Sequence, residues 1–147
     1  MRLAGLILGC LLLVNFYAAP AIALKAEDLA AEKAKAEAGD IMAQVNVGDH
    51  YDGRNCPEAL KWYRMAAKQG QFDARMRIAN YYAYGECPGV ARDVVKGYVL
   101  YKKILDNYVL HPESQGTFEQ QVLELEKELS PEQLADAEKR IAEPWQF

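Results

Sequence analysis

Cysteine and histidine are the residues of this sequence that could bind a transition metal or supply a nucleophile. The chain of 147 residues has three cysteines and two histidines. They are Cys10, Cys56, Cys87, His50 and His111. Structural zinc sites use closely spaced pairs such as Cys-x-x-Cys and His-x-x-x-His, and neither spacing occurs here. The sequence therefore predicts no metal site, no bound cofactor, and histidines that face solvent.

Catalysis is equally unsupported. Neither Cys56 nor Cys87 is predicted to lie at a helix N-terminus next to a cation that would stabilise a thiolate. Carboxylates are concentrated in the last part of the chain, at Glu113, Glu119, Glu124, Glu126, Glu128, Glu132, Asp136, Glu138 and Glu143. Four apolar residues among them recur at spacings of four, three and four: Phe118, Val122, Leu125 and Leu129. This pattern predicts an amphipathic helix with its acids in solvent, and it forms no cleft for acid–base chemistry.

The first residues predict export. Met1 and Arg2 precede an apolar run that ends at Ala19, too short to span a bilayer, and Ala21-Ile22-Ala23 offers the small residues that signal peptidase requires. We expect residues 1–23 to be a signal peptide cleaved after Ala23, which places the mature protein in the periplasm or outside the cell. The alternative is a lipoprotein acylated at Cys10, within Ile7-Leu8-Gly9-Cys10.

Residues 24–147 suit a single domain. The net charge is −4, and no basic stripe suited to a phosphate backbone appears, so we expect no nucleic-acid partner. No segment of the mature chain is predicted to span a membrane. Helix-forming residues dominate, with stop signals at Gly39, Gly70 and Gly85. The predicted helices span residues 25–38, 41–52, 57–69, 72–84, 92–107, 114–129 and 131–142.

An internal repeat is the most informative feature. Ala43, Val47, Gly48 and Tyr51 recur as Ala74, Ile78, Ala79 and Tyr82, with a constant offset of 31 residues. Small residues in phase with a bulky residue one turn away are typical of closely packed helix pairs. Because one helical hairpin cannot bury its apolar face on both sides, neighbouring hairpins should stack into an all-α solenoid.

These residues resemble the Sel1-like repeat family, relatives of the tetratricopeptide repeat. Ala74, Ile78, Ala79, Tyr82 and Gly85, followed by Gly89-Val90 and Asp93, are similar to the family's first helix and its Gly-Val-x-x-Asp loop. Residues 59–74 are similar to its second helix and the step into the next repeat. The first unit lacks the loop. The resemblance implies two repeats, near 43–73 and 74–106, with C-terminal capping helices near 113–143.

The two cysteines of the mature chain occupy equivalent positions in successive loops between helices. Paired thiols normally oxidise in an exported protein, so Cys56 and Cys87 are candidates for a disulfide. Stacked helices lie about 8–10 Å apart, however, whereas a disulfide requires Cα atoms within about 7 Å. Two unpaired structural thiols therefore remain the alternative.

The function indicated is binding of another protein, as an adaptor or regulator in the cell envelope. One alternative is an inhibitor or immunity-type protein that neutralises an envelope enzyme. Another is a hydrolase or thiol enzyme. On the first helix of each hairpin, residues offset from the packed ones form a second face, which in tetratricopeptide-like arrays lines the concave groove. Besides Val45, the members of this face are Met42, Asp49, Asp52, Asp73, Met76, Asn80 and Tyr84. Its acids would favour a basic or amide-rich partner.

Export is directly testable. We expect the mature protein to begin at Leu24, and intact mass spectrometry of protein from the envelope fraction will show whether it does. An N-terminus at Met1 with the leader retained would contradict export, and an acylated Cys10 would contradict release from the membrane.

Overall fold

The computed structural model describes residues 18–108 and 112–147, and within these ranges the chain forms seven helices and no strand. The helices are α1 (Ala18–Glu37), α2 (Ile41–Tyr51), α3 (Cys56–Lys68), α4 (Phe72–Tyr84), α5 (Val94–Asn107), α6 (Pro112–Lys127) and α7 (Pro131–Ala142). The predicted helices are all present, with most ends within two residues of those expected. The exception is α1, which begins ahead of the predicted start at residue 25. Residues 1–17, including Cys10, lie outside the described residues.

Each helix packs on its neighbours in chain order. α1 packs on α2, α2 on α3, α3 on α4 and α4 on α5, and α5 then packs against both α6 and α7. The hairpins α2–α3 and α4–α5 are the two predicted repeats, and their stacking confirms an α-solenoid. None of the described helices has the length and apolarity needed to cross a bilayer.

Side chains in the connecting segments fix where the helices start. Asp93 accepts a hydrogen bond from the Lys96 N–H at 2.9 Å and thereby caps α5. Ser130 and Gln133 form the capping box predicted at the start of α7. Gly85 ends α4 in the left-handed conformation, with φ of 67°, which favours glycine.

Small residues bring the helix backbones together, and large ones fill the remaining space. The alanines at the contacts between α3, α4 and α5 are fully buried: Ala59, Ala66, Ala67, Ala74, Ala79 and Ala83. Tyr63 and Tyr101, at equivalent positions of the two hairpins, are also fully buried. In α6, Val122 and Leu125 are buried, as is Leu129 just after it, and Phe118 packs partly buried against them. The predicted apolar side of this helix is therefore confirmed.

Two glycines mark the closest helix contacts. A Cβ atom built on Gly97 would lie 2.6 Å from the Cα atom of Ala83 in the facing helix, and one on Gly48 would lie 2.5 Å from the ring of Tyr63. A ring can turn aside, but a helix backbone cannot. Gly97 therefore sets the distance between α4 and α5.

We expect Gly97→Ala to lower the free energy of unfolding by about 1–3 kcal/mol, because the added methyl group must push two helix backbones apart. Gly116→Ala is the matched control. Gly116 lies within α6 with no atom in the way of a Cβ, so alanine there should stabilise the chain by about 0.5–1 kcal/mol through helix propensity. Urea denaturation followed by circular dichroism measures both, and equal effects of the two substitutions would contradict the close contact.

Candidate partner-binding surface

The cysteine pair joins the two hairpins. Cys56 is the first residue of α3, one position ahead of the predicted helix start, and Cys87 lies in the segment between α4 and α5. The two form a disulfide with a Cα–Cα distance of 5.5 Å, and both are buried. The longer second loop reaches across the gap that stacked helices would otherwise leave. The predicted disulfide is confirmed, and the alternative of two unpaired thiols is wrong.

The same loops bring a carboxylate to the sulfur atoms. Asp52 has an oxygen within 4.8 Å of the Cys56 and Cys87 Sγ atoms, and this is the single group of potential metal ligands in the described parts of the chain. Because the sulfurs are bonded to each other, they offer no thiolate to a metal ion. His50 is exposed and lies edge-on to the Tyr51 ring. His111 lies outside the described residues.

The acids predicted to occupy a solvated face do so. Every carboxylate residue assigned to the last two helices has an exposed side chain wherever the side chain is described. Glu128 is one of them and binds Arg92 through both oxygens, at 2.8 and 2.9 Å. Glu113 is excluded from this statement, since its side chain is not described.

The predicted partner face divides into exposed and anchored residues. Met42, Asp49, Asp73 and Tyr84 are exposed, whereas Asp52, Met76 and Asn80 are half-buried. Val45 is not on this face: it is buried in the core, so that assignment was wrong. α2 turns Val45 toward the hydrophobic core that it shares with α3 and α4, which a spacing of three and four residues cannot distinguish from a neighbouring surface position.

Buried tyrosines hold the polar residues of the face in place. The Tyr63 hydroxyl donates to Asp49 Oδ1 at 2.6 Å, and the Tyr101 hydroxyl donates to Asn80 Oδ1. These two bonds are equivalent, one in each repeat. Tyr81 donates to Asp52 Oδ1 at 2.5 Å. The three tyrosines therefore position an acid or amide on the surface from within the core.

Burial keeps these phenols protonated. It raises the pKa of Tyr63 well above its usual value, and the hydrogen bond to Asp49 raises the pKa further. The pKa of Tyr81 is raised for the same reasons, burial first and then the bond to Asp52. Asp52 also forms an ion pair with the exposed Arg77, with its Oδ2 atom 3.4 Å from Arg77 Nη1. Among the acids of the face, Asp52 thus has the most contacts with polar groups of its own chain, one hydrogen bond and one ion pair.

The C-terminal segment forms a contact that sequence reasoning missed. Lys103 is buried, with its Nζ atom 2.5 Å from the carbonyl oxygen of Glu143, and burial lowers its pKa. The Arg75 guanidinium lies 4.2 Å from the centre of the Trp145 ring, which stacks on Phe147. Residues 143–147 are outside the repeat phase, so neither periodicity nor spacing could have placed them on α4 and α5.

Comparison with known proteins identifies the fold. No protein-family model and no curated protein matches the sequence. Among solved structures, c5321 is similar, a protective antigen present in uropathogenic Escherichia coli strains that displays an SLR fold. The two share 27% sequence identity with a TM-score of 0.62, over 77% of this chain and 24% of that one. The chain therefore has the Sel1-like repeat fold, and the resemblance seen in its sequence is confirmed. It spans about a quarter of the similar protein.

The disulfide should contribute measurably to stability. Reduction is expected to lower the free energy of unfolding by about 3–4 kcal/mol, because the bond closes a loop of 31 residues and restricts the unfolded chain. Urea denaturation with and without dithiothreitol measures this difference. A Cys56→Ser/Cys87→Ser variant is the control and should not respond to the reductant. Coincident curves for the oxidised and reduced wild-type chain would contradict the prediction.

Proposed function

We propose that this chain is an exported protein-interaction module and that its partner binds the face defined by Met42, Asp49, Asp52, Asp73, Met76, Asn80 and Tyr84. One observation carries the proposal. The described residues include three large apolar side chains that are exposed: Met42 at 58%, Tyr84 at 39% and Leu123 at 56%. Two of the three belong to this face. Methionine and tyrosine are adaptable contact residues in protein interfaces, and partner binding would bury them.

The arrangement suggests what the partner offers. Met42 is in the first turn of α2 and Tyr84 is the last residue of α4. By the repeat offset of 31 residues Tyr84 corresponds to position 53, just past the end of α2, so Met42 and Tyr84 mark opposite ends of the face. By the same offset Asp73 is level with Met42, and Asp49 lies between the two ends. Neither acid makes an ion pair within the described residues. A segment with two apolar residues flanking basic or amide groups would match this face.

Preorganisation supports affinity. Asp49 and Asn80 are held by hydrogen bonds from buried tyrosines, so a partner need not immobilise them on binding. Each rotamer-rich side chain that is ordered in advance saves roughly 0.5–1.5 kcal/mol of binding free energy. Export is supported by the leader pattern of the first 23 residues and by the disulfide, since disulfides persist mainly in oxidising compartments.

A paired set of substitutions tests the face. A partner would be captured from an envelope extract by mild crosslinking and then titrated with purified variants. Asp49→Asn removes the charge but keeps an oxygen for Tyr63, as Asn80 does for Tyr101. Tyr84→Ala removes an apolar end. We expect each to weaken binding by about 1 kcal/mol or more, since exposed anchors of this kind contribute that much to interfaces.

Two controls lie outside the face. Asp106→Asn removes an exposed acid of α5, and Leu123→Ala removes the third exposed apolar side chain. Both should leave the affinity unchanged within about 0.5 kcal/mol. If Asp49→Asn and Tyr84→Ala bind as tightly as the controls, the partner occupies another surface.

A further inference from the structure

A cavity of about 680 Å³ opens beside the second hairpin, away from the residues of the proposed face. It is bounded by the start of α3, the loop before α5, the first turn of α5 and one side chain of α7. Its apolar lining is formed by Pro57, Leu60, Val90 and Val95. The polar part contains Arg64, Tyr82 and Asp93. Its volume is within the range of ligand-binding sites.

Arg64 is incompletely paired in this cavity. Its Nη2 atom donates to the Tyr82 hydroxyl at 2.5 Å, but its Nε atom is shielded from solvent and has no hydrogen-bond partner. None of the ion pairs in the described residues includes Arg64. A shielded donor without an acceptor is unfavourable. The Nη1 atom of the same guanidinium makes no hydrogen bond within the described residues and is not shielded, so an incoming anion can reach the cation there.

Other donors around Arg64 also lack acceptors. The Tyr82 hydroxyl accepts from Arg64, and it donates no hydrogen bond within the described residues, so its own proton is free to donate. The Asp93 Oδ1 atom accepts a hydrogen bond from the Lys96 N–H, so this donor is satisfied. The N–H groups of Val94 and Val95, at the start of α5, have no such partner among the described residues. The cavity therefore presents donors in excess of acceptors.

The charges around the cavity leave one positive charge in excess. Arg92 is matched by Glu128, which it contacts at 2.8 Å. Asp93 is the acid that lines the cavity. The two positive charges near this acid are those of Arg64 and Lys96. The Lys96 Nζ atom lies 4.2 Å from the centre of the Tyr82 ring. A singly charged carboxylate would balance this excess, whereas a phosphate with nearly two charges would exceed it.

We propose that this cavity binds the carboxylate of an aspartate or glutamate side chain on a partner peptide. Arg64 and the first amides of α5 bind the oxygens, and Tyr82 donates its free proton. An apolar residue next to the acid packs on Pro57, Leu60 and Val90. A planar guanidinium matches a carboxylate in shape as well as in charge. No residue of the proposed partner face lines this cavity, so each of the two sites can be tested without the other.

A matched pair of blocked peptides tests the proposal on the oxidised chain. Acetyl-Leu-Asp-Val-amide and acetyl-Leu-Asn-Val-amide differ by one charge at constant shape. Titrated into ¹⁵N-labelled protein, the aspartate peptide should produce saturable shifts of the Val94 and Val95 amides and of the Arg64 Nε–H signal. The asparagine peptide should bind at least about tenfold more weakly, because a charged hydrogen bond is replaced by a neutral one.

Variants separate recognition from folding. Arg64→Gln should weaken the aspartate peptide by about tenfold or more, and Tyr82→Phe by roughly two- to fivefold, since it keeps the ring and removes one donor. Arg54→Gln, which changes an exposed arginine outside the cavity, should have no effect. Amide spectra report whether each variant is folded. If Arg64→Gln does not fold, the binding of the aspartate peptide to Tyr82→Phe decides the test. Equal binding of the two peptides, unchanged binding by Arg64→Gln and Tyr82→Phe, or displacement by inorganic phosphate at concentrations similar to the peptide's would each overturn the proposal.

Discussion

The contact between Gly97 and the backbone of Ala83 determines how close α5 lies to α4, and the surfaces on both sides of the second hairpin depend on that distance. Because no side chain separates the two helices there, the Tyr101 hydroxyl reaches Asn80 on the partner face. The Asp93 N–H reaches the Tyr82 carbonyl oxygen at 2.9 Å, which starts α5 beside the cavity. A hairpin held further apart would lose both arrangements, since a hydrogen bond weakens steeply when its geometry is stretched.

The tyrosines connect this packing to the surface. In a solenoid each repeat contacts only its neighbours. A hydrogen bond from a buried side chain can nevertheless fix a polar group at the surface. Tyr63 and Tyr101 do this in both units from equivalent positions, while Tyr81 crosses from the second unit to Asp52 in the first. The phenol ring supplies buried area, and its hydroxyl reaches the edge of the core. The same side chains therefore stabilise the stack and order the surface residues that we propose to bind a partner.

Sequence periodicity predicted what depends on local spacing and missed what depends on contacts between distant residues. Gly85 and Ser130 act within one helical turn, so the end of α4 and the start of α7 were predictable. Val45 was misplaced because a step of three or four residues fits two adjacent sides of a helix, and only packing against α3 and α4 distinguishes them. The Arg64–Tyr82 pair is separated by 18 residues that follow no repeat phase. No signal in a single sequence marks such a contact.

The disulfide joins two walls of the cavity. Cys56 precedes Pro57 at one wall, and Cys87 precedes the loop that contains Gly89 at the other. A Cβ atom on Gly89 would lie 3.3 Å from Pro57 Cγ, so these two walls already touch where the bond joins them. Asp49 and Asn80 of the partner face depend less on this link, because Tyr63 and Tyr101 hold them from within one hairpin each. Asp52, by contrast, lies beside the sulfur atoms and is held by Tyr81 across the two hairpins. Oxidation of the two thiols would thus rigidify the cavity and the surroundings of Asp52 more than the part of the face around Asp49 and Asn80, which gives these regions different sensitivity to the redox state of their surroundings.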